Sequence, residues 1–449
     1  MTMLNNIPPA LLFVAGAVLL PLIPRKIRSY GFIAVTLITL AQVALIPEGV
    51  SAPLQTMGYS LTLCKVDAMS RVFGLIFAFV ALAGGVYSLQ LKELGQQIAA
   101  LLYGAGALGV TFAGDLFTLF IFWELMAVSS VYLVWARREP VSYRAGFRYL
   151  IYHVMGGGLL FAGILVHFQK SGNLSVTGLN PEQGLGAWLM LAGVAVNAAI
   201  TPLHTWLTDT YPKATITGAV FMSAFTTKSA VYVLARMFPG WEILLYLGVI
   251  MAIYGVIYAI MADDMREILS YHIVCQVGYM VAAVGIGSAM AVDGAIAHAV
   301  NNILFKTLMF MAAGTVMYMT GKGRLSKLGG LFSAMPLVFV LYMVGGLSIS
   351  GVPLFNGFVS KSLIVSAATE AHLDWVVLGL LLASIGTFIS VGLKLPYFCW
   401  LAGKKESGQC ETKAVPKSQS LGMLLLAVPC VLFGIYPSLL NDLLPAKSH

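Results

Sequence analysis

Apolar runs of about 20 residues dominate the chain, and the short stretches between them hold most of its charged residues. Twenty residues of helix, rising ~1.5 Å each, span the ~30 Å hydrocarbon layer of a bilayer. Each run therefore predicts a transmembrane helix. The runs begin near Pro8, Tyr30, Ala68, Gln97, Asp115, Gly146, Leu185, Ile216, Glu242, Ile268, Ala291, Leu331, Phe355, Asp374 and Ser420. That makes about fourteen or fifteen spans. The ambiguity lies between Leu331 and Ala368, where Gly351-Val352-Pro353-Leu354-Phe355-Asn356-Gly357 interrupts the apolar run. A second interruption is Thr201-Pro202-Leu203-His204-Thr205-Trp206-Leu207, followed by Tyr211-Pro212. Paired breaks at Pro202 and Pro353, in corresponding halves of a membrane chain, point to inverted repeats with a transport site at the breaks. A kinked structural helix is the plainer alternative.

Composition agrees with the pattern. Of 449 residues, 59% are hydrophobic and 10% charged, against about 25% charged in soluble domains. The chain reads as one polytopic integral membrane domain over residues 1–449, since no hydrophilic stretch is long enough to bury a core of its own. The 46 glycines fit close helix–helix approach, as at Gly156-Gly157-Gly158. The segment from Pro8 to Pro24 has no basic residues before it and reads as a retained first helix rather than a signal peptide. Cys64, Cys275, Cys399, Cys410 and Cys430 are scattered, with no CxxC and no histidine at ligand spacing, so neither a metal nor a redox cofactor is expected. A net charge of +8 would suit nucleic acid, but its distribution excludes that partner. Of 26 lysines and arginines, 17 fall in alternate loops on one predicted side, including the Arg137, Arg138, Arg144, Arg148 cluster and Lys404, Lys405, Lys413 and Lys417. Only Lys65, Arg71, Lys170, Arg236 and Lys447 fall on the other. The positive-inside rule puts the richer side in the cytoplasm and both termini outside.

The remaining four lysines, Lys228, Lys306, Lys361 and Lys394, stand inside apolar runs, as does Glu124. A charge at that depth costs roughly 2.5–3.5 kcal/mol unless it faces protein or water. Glu124 follows Asp115 by nine residues of helix, ~14 Å, which puts it near the midplane. It is a candidate proton carrier, or else half of an ion pair that only fixes packing. Lys228 admits the same two readings, because a desolvated lysine can release and recover a proton. His298, Asn302 and Lys306 lie four apart and share one helix face, a polar ladder suited to passing protons through water. Lys361 follows the second break. Lys394 lies near the end of its span, where snorkelling to the interface is the favoured reading. His272, close to Asp263-Asp264-Met265-Arg266-Glu267, is either a point where protons enter or an interfacial histidine bonded to a neighbour.

From about Asp67 to Lys394 the chain resembles the antiporter-like subunits shared by Mrp-type cation/proton antiporters, respiratory complex I and membrane-bound hydrogenases. The motifs are Gly114-Asp115-Leu116-Phe117 with Trp123-Glu124-Leu125, Pro202-Leu203-His204-Thr205-Trp206-Leu207, Ser270-Tyr271-His272, His298 to Lys306, and Gly357-Phe358-Val359-Ser360-Lys361. The aromatic run before Glu124 and the Tyr211-Pro212 turn are most similar to the D-type subunit of Mrp antiporters. The resemblance implies an all-α fold of about fourteen transmembrane helices, with the seventh and twelfth broken. It implies two inverted five-helix repeats, here near residues 95–237 and 242–400. It also implies a polar axis of Glu124, Lys228, Lys306 and Lys361, along which protons pass through water. Two positions depart from the family. Asn197 stands where a lysine usually partners the glutamate, and Asn302 where a second histidine often occurs. Asn197 leaves two possibilities: Glu124 pairs with Lys228 instead, or the amino-terminal half serves as a scaffold.

The expected function is ion translocation within a multisubunit complex in the cell membrane, moving protons and, in an antiporter, Na+. A proton-pumping subunit of a complex I-type NADH:quinone oxidoreductase or of a hydrogenase is the first rival, and a non-conducting scaffold the second. The expected partners are other membrane subunits and lipid.

Overall fold

The computed structural model describes residues 7–49, 51–56, 58–403 and 414–446. Cys410, Lys404, Lys405, Lys413 and Lys447 lie outside the described residues. The first helices are α1 (Pro9–Leu19) and α2 (Arg28–Leu45), followed by strands β1 (Ser51–Thr56) and β2 (Tyr59–Lys65). Next come α3 (Ala68–Tyr87), α4 (Leu94–Phe112), α5 (Leu116–Trp135), α6 (Pro140–Ser171), α7 (Leu185–Asn197), α8 (Thr205–Thr210), α9 (Ile216–Ala224) and α10 (Thr226–Met237). The second half holds α11 (Glu242–Met261), α12 (Met265–Ile286), α13 (Ala289–Thr320), α14 (Pro336–Ser350), α15 (Asn356–Glu370), α16 (Asp374–Thr387), α17 (Lys417–Ile435) and α18 (Ser438–Asn441).

Ten of the described helical spans are long and apolar enough to cross a membrane on length and composition alone. That is fewer than the apolar runs in the sequence, and the difference has a physical source. Helix α7 stops at Asn197 and α14 at Ser350, each at a predicted interruption, so neither reaches full length by itself. The first apolar helical stretch, Pro9–Leu22, is also short. The expectation of a purely helical chain needs one amendment. Strands β1 and β2 pair antiparallel, Ser51 with Lys65 and Thr56 with Tyr59.

The loops gather on two faces. On one, Ser29 donates to the Leu91 carbonyl, Arg138 pairs with Glu93, Ser142 donates to the Lys213 carbonyl, and Arg266 donates to the Ala214 carbonyl. On the other, β2 meets Gly114, the Leu179 amide donates to the Met237 carbonyl, and Gly240 donates to Val284. The described basic loops from Arg25 to Lys327 thus share one face, as the charge pattern predicts.

Acidic and hydroxyl side chains start the helices that matter. Asp67 and Ser70 cap α3 reciprocally, and Asp115 caps α5 through the Thr118 amide while also accepting from Thr62 of β2. Such caps satisfy amides that have no partner in the first turn. At the bundle centre, 18-residue apolar stretches within Ile216–Met237, Met265–Ile286 and Ala289–Thr320 have 100%, 94% and 83% of their residues buried, against 28% for Arg28–Leu45 at the periphery. Lys228, His272, His298, Asn302 and Lys306 all lie on these three central spans.

Candidate functional site: a buried polar row

Both predicted interruptions are real, and each frees backbone carbonyls. The peptide bond before Pro202 is cis, and seven residues separate the last residue of α7 from the first of α8 along the chain, Ala198 to His204. The second break runs from Gly351, left-handed at φ 75°, to Phe355. Pro353 has no N–H, so the carbonyl four residues earlier, Ile349, loses its helical partner. Lys361 takes that carbonyl: its Nζ lies 2.7 Å from Ile349 O and 3.1 Å from Ser384 Oγ. The break is held to α13 by a reciprocal amide pair, in which Asn301 donates to the Asn356 carbonyl and Asn356 donates to Asn301 Oδ1.

A third irregularity was not visible in the sequence. The helix carrying Lys228 is interrupted at Phe225, between α9 and α10. There the Ser223 carbonyl accepts from Lys228 Nζ at 2.8 Å. Lys306 donates to the Leu269 carbonyl of α12 at 3.0 Å. Lys394 donates to Ile260 and Ala262, the terminal carbonyls of α11, at 2.6 Å each. All four embedded lysines are therefore held by backbone carbonyls. The six ion pairs between described residues lie at the two faces, and none involves these lysines or Glu124.

This corrects one expectation directly. Glu124 does not pair with Lys228 to make good the missing lysine at Asn197. Glu124 is half-buried on α5, between the outward-facing Ile121 and Val128, so the row begins near the edge of the protein. Its carboxylate lies against α6 at Gly157, where a Cβ would collide with it, and Oε1 has no hydrogen-bond partner from the protein. His272 is also not interfacial. It lies fully buried about two turns into α12, with Nε2 2.5 Å from Ser390 Oγ, away from the Asp263 cluster. Lys394 sits apart from the row, at the end of α11.

The other positions form a row through the bundle. Lys228 connects through Ser223, whose hydroxyl is 3.4 Å from Thr307 Oγ1, to the helix of Lys306. Along α13 the face runs from Lys306 past Asn302, whose amide atoms have no protein partner, to His298. His298 bonds Ser360 at 2.9 Å and Gln276 at 3.1 Å. Ser360 precedes Lys361, whose ammonium also lies 4.8 Å from the Tyr279 ring centre. Towards the amino-terminal half, Thr226 is 2.5 Å from the Tyr103 hydroxyl, and Tyr149 is 2.6 Å from Ser130. Polar atoms lacking a protein partner occur at or near this row on Glu124, His153, Asn197, Thr201, His204, Thr227, Ser229 and Asn302, as they do elsewhere in the protein. Buried polar groups of this kind are normally satisfied by water. The row thus lines up titratable side chains with polar groups between them that have no protein partner.

The sequence reading missed Gln276, Ser360 and His153. His153 had a signal: Tyr149, His153 and Gly157 recur every four residues on α6 and all three are buried. Among the described residues, no cluster of three or more His, Cys, Asp or Glu could hold a metal ion.

Fold and row together define a multi-pass helical membrane protein with an interior line of titratable groups. The sequence profile of the family described as NADH:quinone oxidoreductase/Mrp antiporter, transmembrane, matches residues 113–390, and the chain belongs to that family. It is 29% identical over 425 residues to the A-type subunit of the Na+/H+ antiporter of Alkalihalophilus pseudofirmus, covering 84% of this chain and 52% of that one. An uncharacterized protein of Methanocaldococcus jannaschii is 29% identical over 359 residues, covering 76% and 74% of the two chains. The chain thus spans about half the length of the A-type antiporter chain it matches. Among solved structures, a chain of the Mrp complex from Dietzia sp. DQ12-45-1b aligns with a TM-score of 0.86 at 22% identity, covering 100% of this chain and 97% of that one. A chain of the membrane-bound sulfane sulfur reductase, an archaeal respiratory membrane complex, aligns with a TM-score of 0.88 at 27% identity, covering 96% and 76%.

Proposed function

We propose that this chain is an ion-translocating subunit of a multisubunit Mrp-type cation/proton antiporter, and that protons move along Glu124, Lys228, Lys306, His298 and Lys361. One observation carries the reading. The embedded lysines form a row and rest on carbonyl oxygens, with no carboxylate to neutralise them. A static ion pair would lock each proton in place, whereas a carbonyl supports the ammonium without cancelling its charge. Family membership and the A-type relatives support the antiporter over other carriers. The likeness to the D-type chain rests on motif detail alone, while the Alkalihalophilus pseudofirmus antiporter relative is of the A type.

The same reading joins α7 to α8 and α14 to α15 as two discontinuous crossings and counts α9 with α10 as one, giving about fourteen passes. Inverted repeats near 95–237 and 242–400 follow, each with one broken helix. The basic face is cytoplasmic by the positive-inside rule, and the amino terminus lies outside. Other membrane subunits meet the chain at its apolar flanks, one beside Glu124.

The likeness to a respiratory complex favours a second reading, a pump driven by redox subunits. Reconstituting the purified complex in proteoliposomes separates the two. An imposed Na+ gradient drives proton flux without redox partners in the antiporter, and Lys306→Ala abolishes that flux. Unchanged transport in Lys306→Ala would leave only the scaffold role.

A further inference from the structure

We propose that His153 is a proton-carrying residue of the amino-terminal half, accepting the proton of Glu124 and passing it towards Lys228. The inference rests on the proton-row reading above and adds a residue that this row otherwise lacks. Between Glu124 and Lys228 the sequence offers Asn197, which cannot carry a proton.

The geometry fills that interval. His153 is 1% exposed, on α6 one helical turn from Gly157, the residue against which the Glu124 carboxylate lies. One turn is about 5–6 Å along the helix, a separation that a single water bridges. The ring packs against two aromatic rings, one tilted and one edge-to-face. Tyr149 lies 4.1 Å from it and Trp206 4.6 Å, centre to centre. Trp206 is itself fixed, its Nε1 donating to the Val196 carbonyl at 2.8 Å. Neither ring nitrogen makes a well-formed hydrogen bond, and neither does either amide atom of Asn197, whose side chain lies beside the ring at a geometry too poor for one. Helices α6 and α7 come close here because Gly156 and Gly193 leave backbone against backbone.

A buried histidine that only holds structure uses its nitrogens. His298 uses both and His272 one, in this same protein. Leaving both imidazole nitrogens and an entire amide unbonded at one spot costs several kcal/mol without water. That spot is therefore wet, and it joins Glu124, His153 and Asn197. Tyr149, packed against the ring, also lies beside Thr226, two residues before Lys228.

The transfer balances as follows. The carboxylic acid of Glu124 gives its proton through water to one ring nitrogen, leaving a carboxylate and an imidazolium. The imidazolium releases the proton on its other nitrogen to water beside Thr226. The neutral amine of Lys228 takes that proton and becomes ammonium, and His153 returns to its neutral form.

The test uses the intact complex in proteoliposomes, with assembly checked by co-purification of its subunits. His153→Gln keeps polarity and bulk but carries no proton, and it lowers proton flux at least tenfold. Adding Asn197→Lys restores most of the flux, because an ammonium then stands in the same wet gap facing Glu124. A merely structural role for His153 would not be repaired in this way. Wild-type flux in His153→Gln overturns the inference, and so does a loss that Asn197→Lys fails to repair. If His153→Gln does not assemble, His153→Phe, which keeps the ring between Tyr149 and Trp206, is read instead. Lost flux in an assembled complex then supports the inference, and full flux overturns it. Lys306→Ala, measured alongside, separates the two levels. Unchanged flux in that variant sinks the proton row itself, whereas its loss with intact flux in His153→Gln sinks only the role of His153.

Discussion

Replacing Lys361 by methionine separates transport from stability. The side chain keeps its length and loses its charge. Three terms decide the cost to the fold. Removing an ammonium from the hydrocarbon layer relieves roughly 2.5–3.5 kcal/mol. Against that, the Ile349 carbonyl, already deprived of a helical partner by Pro353, loses its 2.7 Å bond, at about 1–3 kcal/mol for a buried group left unsatisfied. The contact with the Tyr279 ring, 4.8 Å away, adds about 0.5–2 kcal/mol. The sum lies within about 2 kcal/mol of zero, because the relief offsets the losses. Breaking a buried ion pair would instead cost about 3–5 kcal/mol. The expected outcome is a complex that assembles and melts close to the wild type but conducts at least tenfold fewer protons. Melting is followed by fluorescence-detected size exclusion after heating, and flux by a pH-sensitive dye inside proteoliposomes. Wild-type flux in Lys361→Met refutes the placement of this lysine on the path. A loss of stability beyond about 3 kcal/mol refutes the balance of terms and returns Lys361 to a structural role.

Two further predictions follow from geometry at the other end of the chain. Gly157→Ala puts a methyl group where the Glu124 carboxylate lies, whereas Gly158→Ala meets open space; flux falls several-fold in the first and is unchanged in the second, and equal flux in both removes Glu124 from its position. Asp67 lies outside the membrane-spanning segments; burial pushes its carboxyl up, but two 2.7 Å bonds from Arg236 and the bonds with Ser70 outweigh this and hold it below 3.8. A depressed folded value means stability that is present above the unfolded value and lost as pH falls through the folded one. The melting difference between wild type and Asp67→Asn is therefore constant from pH 7 to about 5 and shrinks below about 4; a difference that persists at pH 3 contradicts it.

How much of this was legible in the sequence depends on what carried each signal. The spans could be read because the bilayer imposes one length on every apolar run. The breaks could be read because Pro202 and Pro353 remove backbone donors wherever they fall. The embedded charges stood out for the same reason, since nothing apolar explains them. The interruption at Phe225 left no such mark, because Ser223 to Ser229 contains neither proline nor glycine. The break is local, with the Lys228 ammonium folded back onto the Ser223 carbonyl five residues earlier. Strands β1 and β2 left only a weak mark, Leu61 and Leu63 alternating with polar Ser60 and Thr62. His153 escaped notice because its importance depends on what faces it: Asn197, Trp206 and the carboxylate at Gly157 come from three other helices. Spacing along one helix shows which residues share a face, and only the fold shows what that face meets.

The choice of carbonyl oxygens as lysine partners bears on how a row of sites can act together. Two unit charges about 10 Å apart, in an interior of effective dielectric constant about 20, interact by about 1.7 kcal/mol. That is more than tenfold in a protonation equilibrium. Each site can then sense whether its neighbour is charged, provided that no fixed counter-charge has already neutralised it. A carboxylate at hydrogen-bond distance from Lys306 would neutralise it, because the pair would present a dipole to Lys228 and Lys361 rather than a charge. The Leu269 carbonyl at 3.0 Å stabilises the ammonium but leaves its field in place. Introducing a carboxylate beside Lys306 should thus uncouple the two halves even while every original lysine remains. The embedded carboxylate of the row, Glu124, stands at its edge, where its charge quenches none of these lysines.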